Sequence, residues 1–385
     1  MALQDSKRNI IIFIDWFLPA YKAGGPIQSV FNLVQQLQDE YNFFIVTSNW
    51  DLDEKLDLPK SSLNQWIDKG GYQIIYLDQA HQKKSFYKKL VEEREYQVIY
   101  LNSLFSKKFT LLPLRVFGKE NIKIVLAPRG MLGQGALSIK PLKKKIFLKV
   151  FRMAGWHNKV TWHATAETEK AEILAKFGYS VKIQVASNLS KNLTNDWKIK
   201  AKKENKLNLF FLSRISSKKN LLAAIKALES VKEIYSICFS IIGPAEDQEY
   251  WEACQAKIVQ LSKHINVKVL GSQPNHKISD LLSDQHILLL PTQHENFGHV
   301  IMESWQNACP VIISDQTPWR NLEENGVGWD ISLSSPEKFV EAIERAAAMN
   351  QEEYNKMSQA AFEFAKRFTE DPEVLEANRK LFGLS

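Results

Sequence analysis

Short apolar runs alternate with segments of helical spacing along the whole chain, and the alternation occurs twice. Runs at 9–14, 43–47, 73–77, 97–101, 123–127 and 161–165 read as strands, with helical periodicity between them at 29–38 and 86–94. A polar stretch at 186–206, rich in Lys, Asn and Ser, interrupts the pattern and reads as a linker. The alternation then restarts, with strands at 207–212, 237–242, 266–270, 287–291 and 311–314 and helices at 221–231, 249–261, 277–283, 300–306 and 336–349. Strands that alternate with helices pair in parallel, because each crossover returns the chain to the same edge of the sheet. The expectation is an α/β protein of two Rossmann-like domains, 1–186 and 187–370, facing each other across a cleft. A helical tail follows, broken near Asp371-Pro372, and 371–385 is expected to return to the first domain. A length of 385 residues suits two such domains. Ligands of such sheets bind beyond the carboxyl ends of the strands.

Composition narrows the function classes. Apolar residues are 45% and charged residues 24%, as in ordinary globular chains. No apolar stretch reaches the ~18 residues of a spanning helix. The N-terminal apolar run stops at Asp15, too short for a signal-peptide core. The three cysteines, Cys238, Cys254 and Cys309, are few, odd in number and far apart, which fits neither a disulfide framework nor a zinc site. The chain therefore reads as cytoplasmic. Its net charge of +7 is uneven: residues 1–200 hold 30 Lys+Arg against 18 Asp+Glu, and residues 201–385 hold 20 against 25. A basic half points to phosphorylated substrates or an anionic membrane, or is a plain solvated basic surface, and no zinc-finger, RNP or KH pattern accompanies it to indicate nucleic acid. The densest basic segment runs from Lys140 to Arg152, with Leu142, Ile146, Phe147, Val150 and Phe151 at helical spacing. It reads either as a basic amphipathic helix on the inner face of the cell membrane or as a surface helix whose apolar stripe packs on its own domain.

The segment 287–304 carries the most chemistry. A buried strand ends at Pro291, a loop holds Glu295, Asn296 and Phe297, and a helix begins near Gly298. Gly298 lets a ligand approach the backbone. The N–H groups of Phe297, Gly298, His299 and Val300, with the positive helix end behind them, suit a phosphate. Glu295 before the turn and Glu303 two turns on suit a sugar or ribose diol, since a carboxylate accepts two hydroxyl hydrogen bonds. Gly24-Gly25, after the first strand and flanked by Pro19 and Pro26, allows the backbone a close approach to a phosphate or an acceptor.

The spacing Glu295, seven residues, Glu303 resembles the signature of family 4 retaining glycosyltransferases of the bacterial surface-polysaccharide type, which have the GT-B fold. Ser213-Arg214-Ile-Ser-Ser-Lys218-Lys219-Asn220 resembles the family's Gly-Arg…Lys-Gly stretch, and Ile242-Gly243-Pro244 its Gly-containing strand end. Ala20 to Pro26, Pro128-Arg129-Gly130 and His163 to Glu167 resemble its first-domain segments. The resemblance implies that Arg214 and Lys219 bind the donor diphosphate, Glu295 touches the transferred sugar, Glu303 holds the ribose, and the loop with Asn275 reads the base. It implies transfer from a nucleotide sugar, with uridine as the expected base, to a glycan or a lipid-diphosphate-linked acceptor, without metal or other cofactor.

Two positions depart from the family pattern. Arg129 stands where many relatives have His. A guanidinium cannot act as a base, though it can bind a phosphate or sugar. Arg129 and His163 are thus first-domain candidates beside Gly24 and Gly25, with a satisfied structural histidine as the other reading of His163. Asn220 stands where Gly is usual. Asp51 and Asp53 form an Asp-any-Asp pair that reads as a chance match rather than a metal site. The competing functional readings are a catalytically silent nucleotide-sugar-binding subunit, a UDP-sugar 2-epimerase and a phosphorylase.

Overall fold

The computed structural model describes residues 7–52, 54–118, 120–138, 140–193 and 196–383. The chain forms two compact units, one of residues 1–190 and 372–385 and the other Lys191–Asp371. The sequence placed these divisions at 186/187 and 370/371.

The first unit contains β1 (Arg8–Phe13), β2 (Tyr41–Ser48), the short pair β3 (Trp50–Asp51) and β4 (Glu54–Lys55), and β5 (Ile67–Asp68). It continues with β6 (Tyr72–Leu77), β7 (Val98–Asn102), β8 (Lys123–Ala127), β9 (Thr161–Ala164) and β10 (Lys182–Val185). The sheet order is β10-β9-β8-β7-β1-β2-β6-β5, parallel throughout except that β5 runs against β6. The second unit contains β11 (Lys206–Leu212), β12 (Ser236–Ile242), β13 (Ile265–Gly271), β14 (Ile287–Leu290), β15 (Val311–Ser314) and β16 (Gly328–Ile331). Its order is β13-β12-β11-β14-β15-β16, entirely parallel. Both sheets wind outward in two directions from a central strand, so each has a switch point: between β1 and β7 in the first unit, and between β11 and β14 in the second.

Every strand read from the sequence forms a strand. The ones it missed are the β3–β4 pair, β5, β10 and β16, which are short or mostly peripheral. Parallel strands covered by helices on both faces need continuous apolar runs. Ile10 to Phe13, Val98 to Leu101 and Ile287 to Leu290 are such runs, and none exposes measurable side-chain surface.

The last helix, Pro372–Phe382, belongs to the first unit. Phe382 is fully buried and packs edge-on against Tyr41, Phe43 and Tyr100, with ring centroids 5.6, 6.1 and 5.7 Å away. Arg379 forks onto the Glu40 carboxylate, with Nη2 2.7 Å from Oε1 and Nε 2.8 Å from Oε2. Asn378 donates to the Ser187 carbonyl at 2.8 Å. Phe382→Ala is expected to cost the first unit about 3–5 kcal/mol, the usual result of emptying a buried aromatic site. A denaturation midpoint unchanged from wild type would show that the terminal helix adds no packing to that unit.

Candidate functional site

The second unit assembles charged groups at the carboxyl edge beside its switch point. The chain leaves β11 at Leu212 and β12 at Ile242, and the two exits are joined backbone to backbone. Ile215 N–H donates to Pro244 O at 2.8 Å, and Glu246 N–H donates to Ile215 O at 3.1 Å. Gly243, at φ +145°, makes this possible: a Cβ there would lie 1.9 Å from Ser213 O. The join sets Arg214 opposite Glu246, and Arg214 Nη1 donates to Glu246 Oε1 at 2.7 Å. The first half of the motif is thereby fixed by main-chain bonds.

Lys219 forms an ion pair with Glu295 Oε1, and both side chains are nearly enclosed, 13% and 10% exposed. The two residues that the sequence assigned to diphosphate and sugar therefore touch each other. Lys218, the residue before Lys219, is drawn partly inward as well. Burial, and then the adjacent Lys219, lower its ammonium below the ordinary lysine value. Among the described residues its ammonium has no ion-pair or hydrogen-bond partner. Its carbonyl accepts from Gln293 N–H at 2.8 Å, tying the loop to the exit of β14. Asn220 adopts the left-handed conformation, φ +60°, that glycine would take, and its amide donates to Pro291 O at 2.9 Å. Asn tolerates this region because its short polar side chain bonds locally.

After β14, Glu295 N–H donates to Gln316 O at 2.9 Å. The Phe297 side chain turns inward, 4.8 Å from the His299 ring, 5.3 Å from Trp319 and 5.8 Å from Phe368. Trp319 Nε1 donates to Phe297 O at 2.5 Å. This aromatic cluster anchors the loop at Phe297. Gly298, φ +81°, caps the helix His299–Gln306, and a Cβ on it would meet Ile301 Cδ1 at 2.7 Å. Ile301 and Met302 donate back to Gly298 O, so the N–H groups of His299 and Val300 precede the first intrahelical bond.

Glu303, one turn into this helix, keeps some exposed area, but its carboxyl is surrounded by protein atoms. Burial raises its pKa to about 7, opposed by the charge of Lys191. Among the described residues its carboxylate accepts no hydrogen bond. Asn275 opens the short helix Asn275–Leu281 after β13, the outer strand, so it stands two strands from β11 along the same edge.

In the first unit, Gly24, φ +67°, caps the helix Gly25–Leu37. The loop before it hangs on Asp51, whose buried Oδ2 accepts from Tyr21 N–H at 2.8 Å and Lys22 N–H at 3.1 Å. The first member of the Asp-any-Asp pair thus has a structural task, and Asp53 lies outside the described residues. Asp15, at the exit of β1, accepts from Ser106 Oγ at 2.7 Å across the switch point, and burial raises its pKa to about 6.

Arg129, φ +56°, donates from Nε to Asn102 Oδ1 at 2.9 Å, from Nη2 to Tyr100 Oη at 2.8 Å, and from Nη1 to Asn188 Oδ1. His163 lies behind Tyr100 and is enclosed. Its Nε2–H donates to Ala186 O at 2.8 Å, so its Nδ1 accepts from Tyr100 Oη, also at 2.8 Å. Burial and the Arg129 charge lower its pKa to about 3. The structure therefore corrects the placement of His163 among the ligand-facing candidates: it is a neutral, satisfied core residue that supports Tyr100 and Arg129. Sequence reasoning missed Lys218, Glu246, Trp319 and Asp15. Only Glu246 had a usable signal, three residues beyond the Gly243 strand end.

Two doubly wound α/β units in one chain define the class: the protein has the GT-B fold. Residues 193–364 match the family described as Glycosyl transferases group 1, and the second unit is a domain of that family. The chain is 32% identical over 162 residues to a poly(glycerol-phosphate) alpha-glucosyltransferase of Bacillus subtilis, a match covering 41% of this chain. It spans about a quarter of that relative's length, 23%. Among solved structures it resembles sucrose-phosphate synthase of Thermosynechococcus elongatus, with a TM-score of 0.75 at 14% identity over 98% of both chains. It also resembles Anabaena HepE in complex with UDP-glucose, with a TM-score of 0.70 at 15% identity over 97% of this chain and 98% of that one. At such identities the likeness defines the fold.

The raised pKa of Glu303 has a stability consequence. Its ionised form is disfavoured in the folded state, so the penalty is absent below the unfolded carboxyl value and develops as pH rises through about 7. Glu303→Gln is expected to melt higher than wild type at about pH 8, with the difference vanishing near pH 4.5. Parallel melting curves across that range would refute the assignment.

Proposed function

We propose that the protein is a retaining, metal-independent glycosyltransferase of the family 4 type. It transfers a sugar from a uridine diphosphate donor to a hydroxyl of a glycan or a lipid-linked acceptor in surface-polysaccharide synthesis. The observation that carries this reading is the cluster of Arg214, Lys218 and Lys219 beside the β11/β14 switch point. Within it Lys218 is partly buried, its ammonium makes no hydrogen bond or ion pair among the described residues, and Glu295 and Glu246 lie near enough only to offset part of the cost of burial. A cation that loses water on partial burial carries a cost, and an anionic ligand relieves that cost.

In this reading the diphosphate lies against the three cations and the N-terminal turn of the helix His299–Gln306. When the bond from sugar C1 to the phosphate oxygen breaks, its electron pair stays on that oxygen. One cation ~4 Å away stabilises the new charge by roughly 4 kcal/mol at an effective dielectric of ~20, before desolvation. Fixed cations need no reorganisation at that moment. The acceptor oxygen bonds to C1 on the face the leaving group vacates, and its proton passes to the departing phosphate oxygen, which retains the configuration.

Lys219 occupies Glu295 Oε1 and leaves Oε2 for a sugar hydroxyl, while the Glu303 carboxylate takes the ribose diol. Asn275 is assigned to the base. Gly24, Gly25 and Arg129 are assigned to the acceptor or a phosphate. Similar proteins support the reading: the HepE structure holds UDP-glucose, and the Bacillus relative is a poly(glycerol-phosphate) alpha-glucosyltransferase. An α product from an α-linked nucleotide sugar is a retained configuration.

Lys218→Gln and Arg214→Ala are each expected to weaken UDP binding by about tenfold, or ~1.4 kcal/mol, in titration calorimetry. Transfer to a panel of glycan and polyol-phosphate acceptors should proceed undiminished with chelator present. Loss of turnover on chelation would defeat the metal-free mechanism. UDP-sugar binding without turnover on any acceptor would favour a silent binding subunit.

A further inference from the structure

The helix Pro141–Met153 in the first unit has two apolar faces, and only one of them is used. Phe147 and Phe151 turn inward: Phe147 packs 4.9 Å from Phe105, and Phe151 lies 5.7 Å from Trp156 and 5.9 Å from Trp162, fully buried. Leu142, Ile146, Val150 and Met153 recur at spacings of four, four and three, which aligns them on one stripe of a helix. All four face solvent, with exposures of 69%, 56%, 47% and 77%. They account for four of the nine large apolar side chains exposed among the described residues. The sequence had joined Leu142, Ile146 and Val150 to Phe147 and Phe151 as one stripe. The structure separates them, so packing on the core does not explain the outer three.

Charge identifies what would cover this stripe. From Asn121 to Ala166 the chain contains no Asp or Glu and nine Lys or Arg. Lys140, Lys143, Lys145, Lys149 and Arg152 are exposed on the same helix or at its start. Lys144 alone turns inward, 5.3 Å over the Phe105 ring, where burial lowers its ammonium. A protein partner fitted to this surface needs apolar contacts ringed by acids. A bilayer with anionic headgroups offers both chemistries continuously: hydrocarbon for the stripe and phosphate for the flanking cations. No helix of the described residues is long and apolar enough to cross a membrane, so contact here lies in the plane of the surface.

We propose that the outer face of the helix Pro141–Met153 is a docking surface for anionic lipid, with Leu142, Ile146, Val150 and Met153 entering the headgroup layer between Lys143, Lys145, Lys149 and Arg152. This is independent of the transfer reading, because lipid binding is measured without donor or acceptor. The test is co-sedimentation of the full chain with vesicles of phosphatidylcholine alone or mixed with phosphatidylglycerol, at low and high salt.

Binding is expected only to the mixed vesicles and is expected to weaken as salt rises. Replacing Lys143, Lys145 and Lys149 together by Ser should lower the partition coefficient by about a hundredfold, each cation contributing roughly a factor of five. Ile146→Glu should abolish binding at unchanged melting temperature, since the residue is exposed. The proposal is overturned if wild type ignores the mixed vesicles at low salt, or if Ile146→Glu binds them as well as wild type. It is equally overturned if the chain is a dimer that Ile146→Glu converts to monomer with no vesicle binding in either form, because the stripe would then be a contact between copies.

Discussion

The main-chain join between the exits of β11 and β12 governs the geometry of the charged site. Two strand ends run close enough for hydrogen bonds between Ile215, Pro244 and Glu246, and this closeness requires a residue without Cβ at position 243. Everything downstream inherits the register. Arg214 is set against Glu246, the Lys218 carbonyl accepts from the loop after β14, and Asn220 reaches Pro291. A loop built this way is held by its own main-chain bonds, which is what a set of fixed charges requires.

The two units treat their arginines differently. Arg129 is surrounded by neutral acceptors, Asn102, Asn188 and Tyr100, with His163 locked behind them as a proton acceptor for Tyr100. Such a network is satisfied by its own chain and specifies position. In the second unit, by contrast, three cations stand beside two partnered acids, and the partly buried Lys218 is left without an ion pair. The electrostatic imbalance is therefore local to one sheet edge, while the protein-wide excess of positive charge sits mostly in the other unit.

The architecture was readable from the sequence because parallel strands must be apolar on both faces. Runs such as 287–290 stand out against any helical period. The missed strands lack that signature: β16 begins at Gly328 and carries Asp330, and β10 is a Lys-Ile-Gln-Val segment at the sheet edge. The motif residues Arg214, Lys219, Glu295 and Glu303 were found as a string, and the structure gathers the first three beside one switch point. Spacing could not reveal that Lys219 and Glu295 pair, or that Lys218 rather than its neighbour lacks an acid. Both depend on which side of a stitched loop faces the protein. Of the two readings open for His163, the structural one holds, for a related reason. A histidine at a strand end looks available until the Ala186 carbonyl and the Tyr100 hydroxyl are seen to occupy both ring nitrogens. The Lys140–Arg152 segment showed its helical period plainly, but a one-dimensional pattern cannot tell an apolar stripe from two stripes on adjacent faces.

Asp15 and Glu303 occupy comparable stations, one carboxyl near the carboxyl edge of each sheet, with pKa values of about 6 and about 7. Buried carboxyls of this kind act as small proton reservoirs. Burial raises both above the ordinary carboxylate range, so mild acidification favours the protonated form of each. Each unit therefore holds one carboxyl whose burial favours taking up a proton as the medium sours.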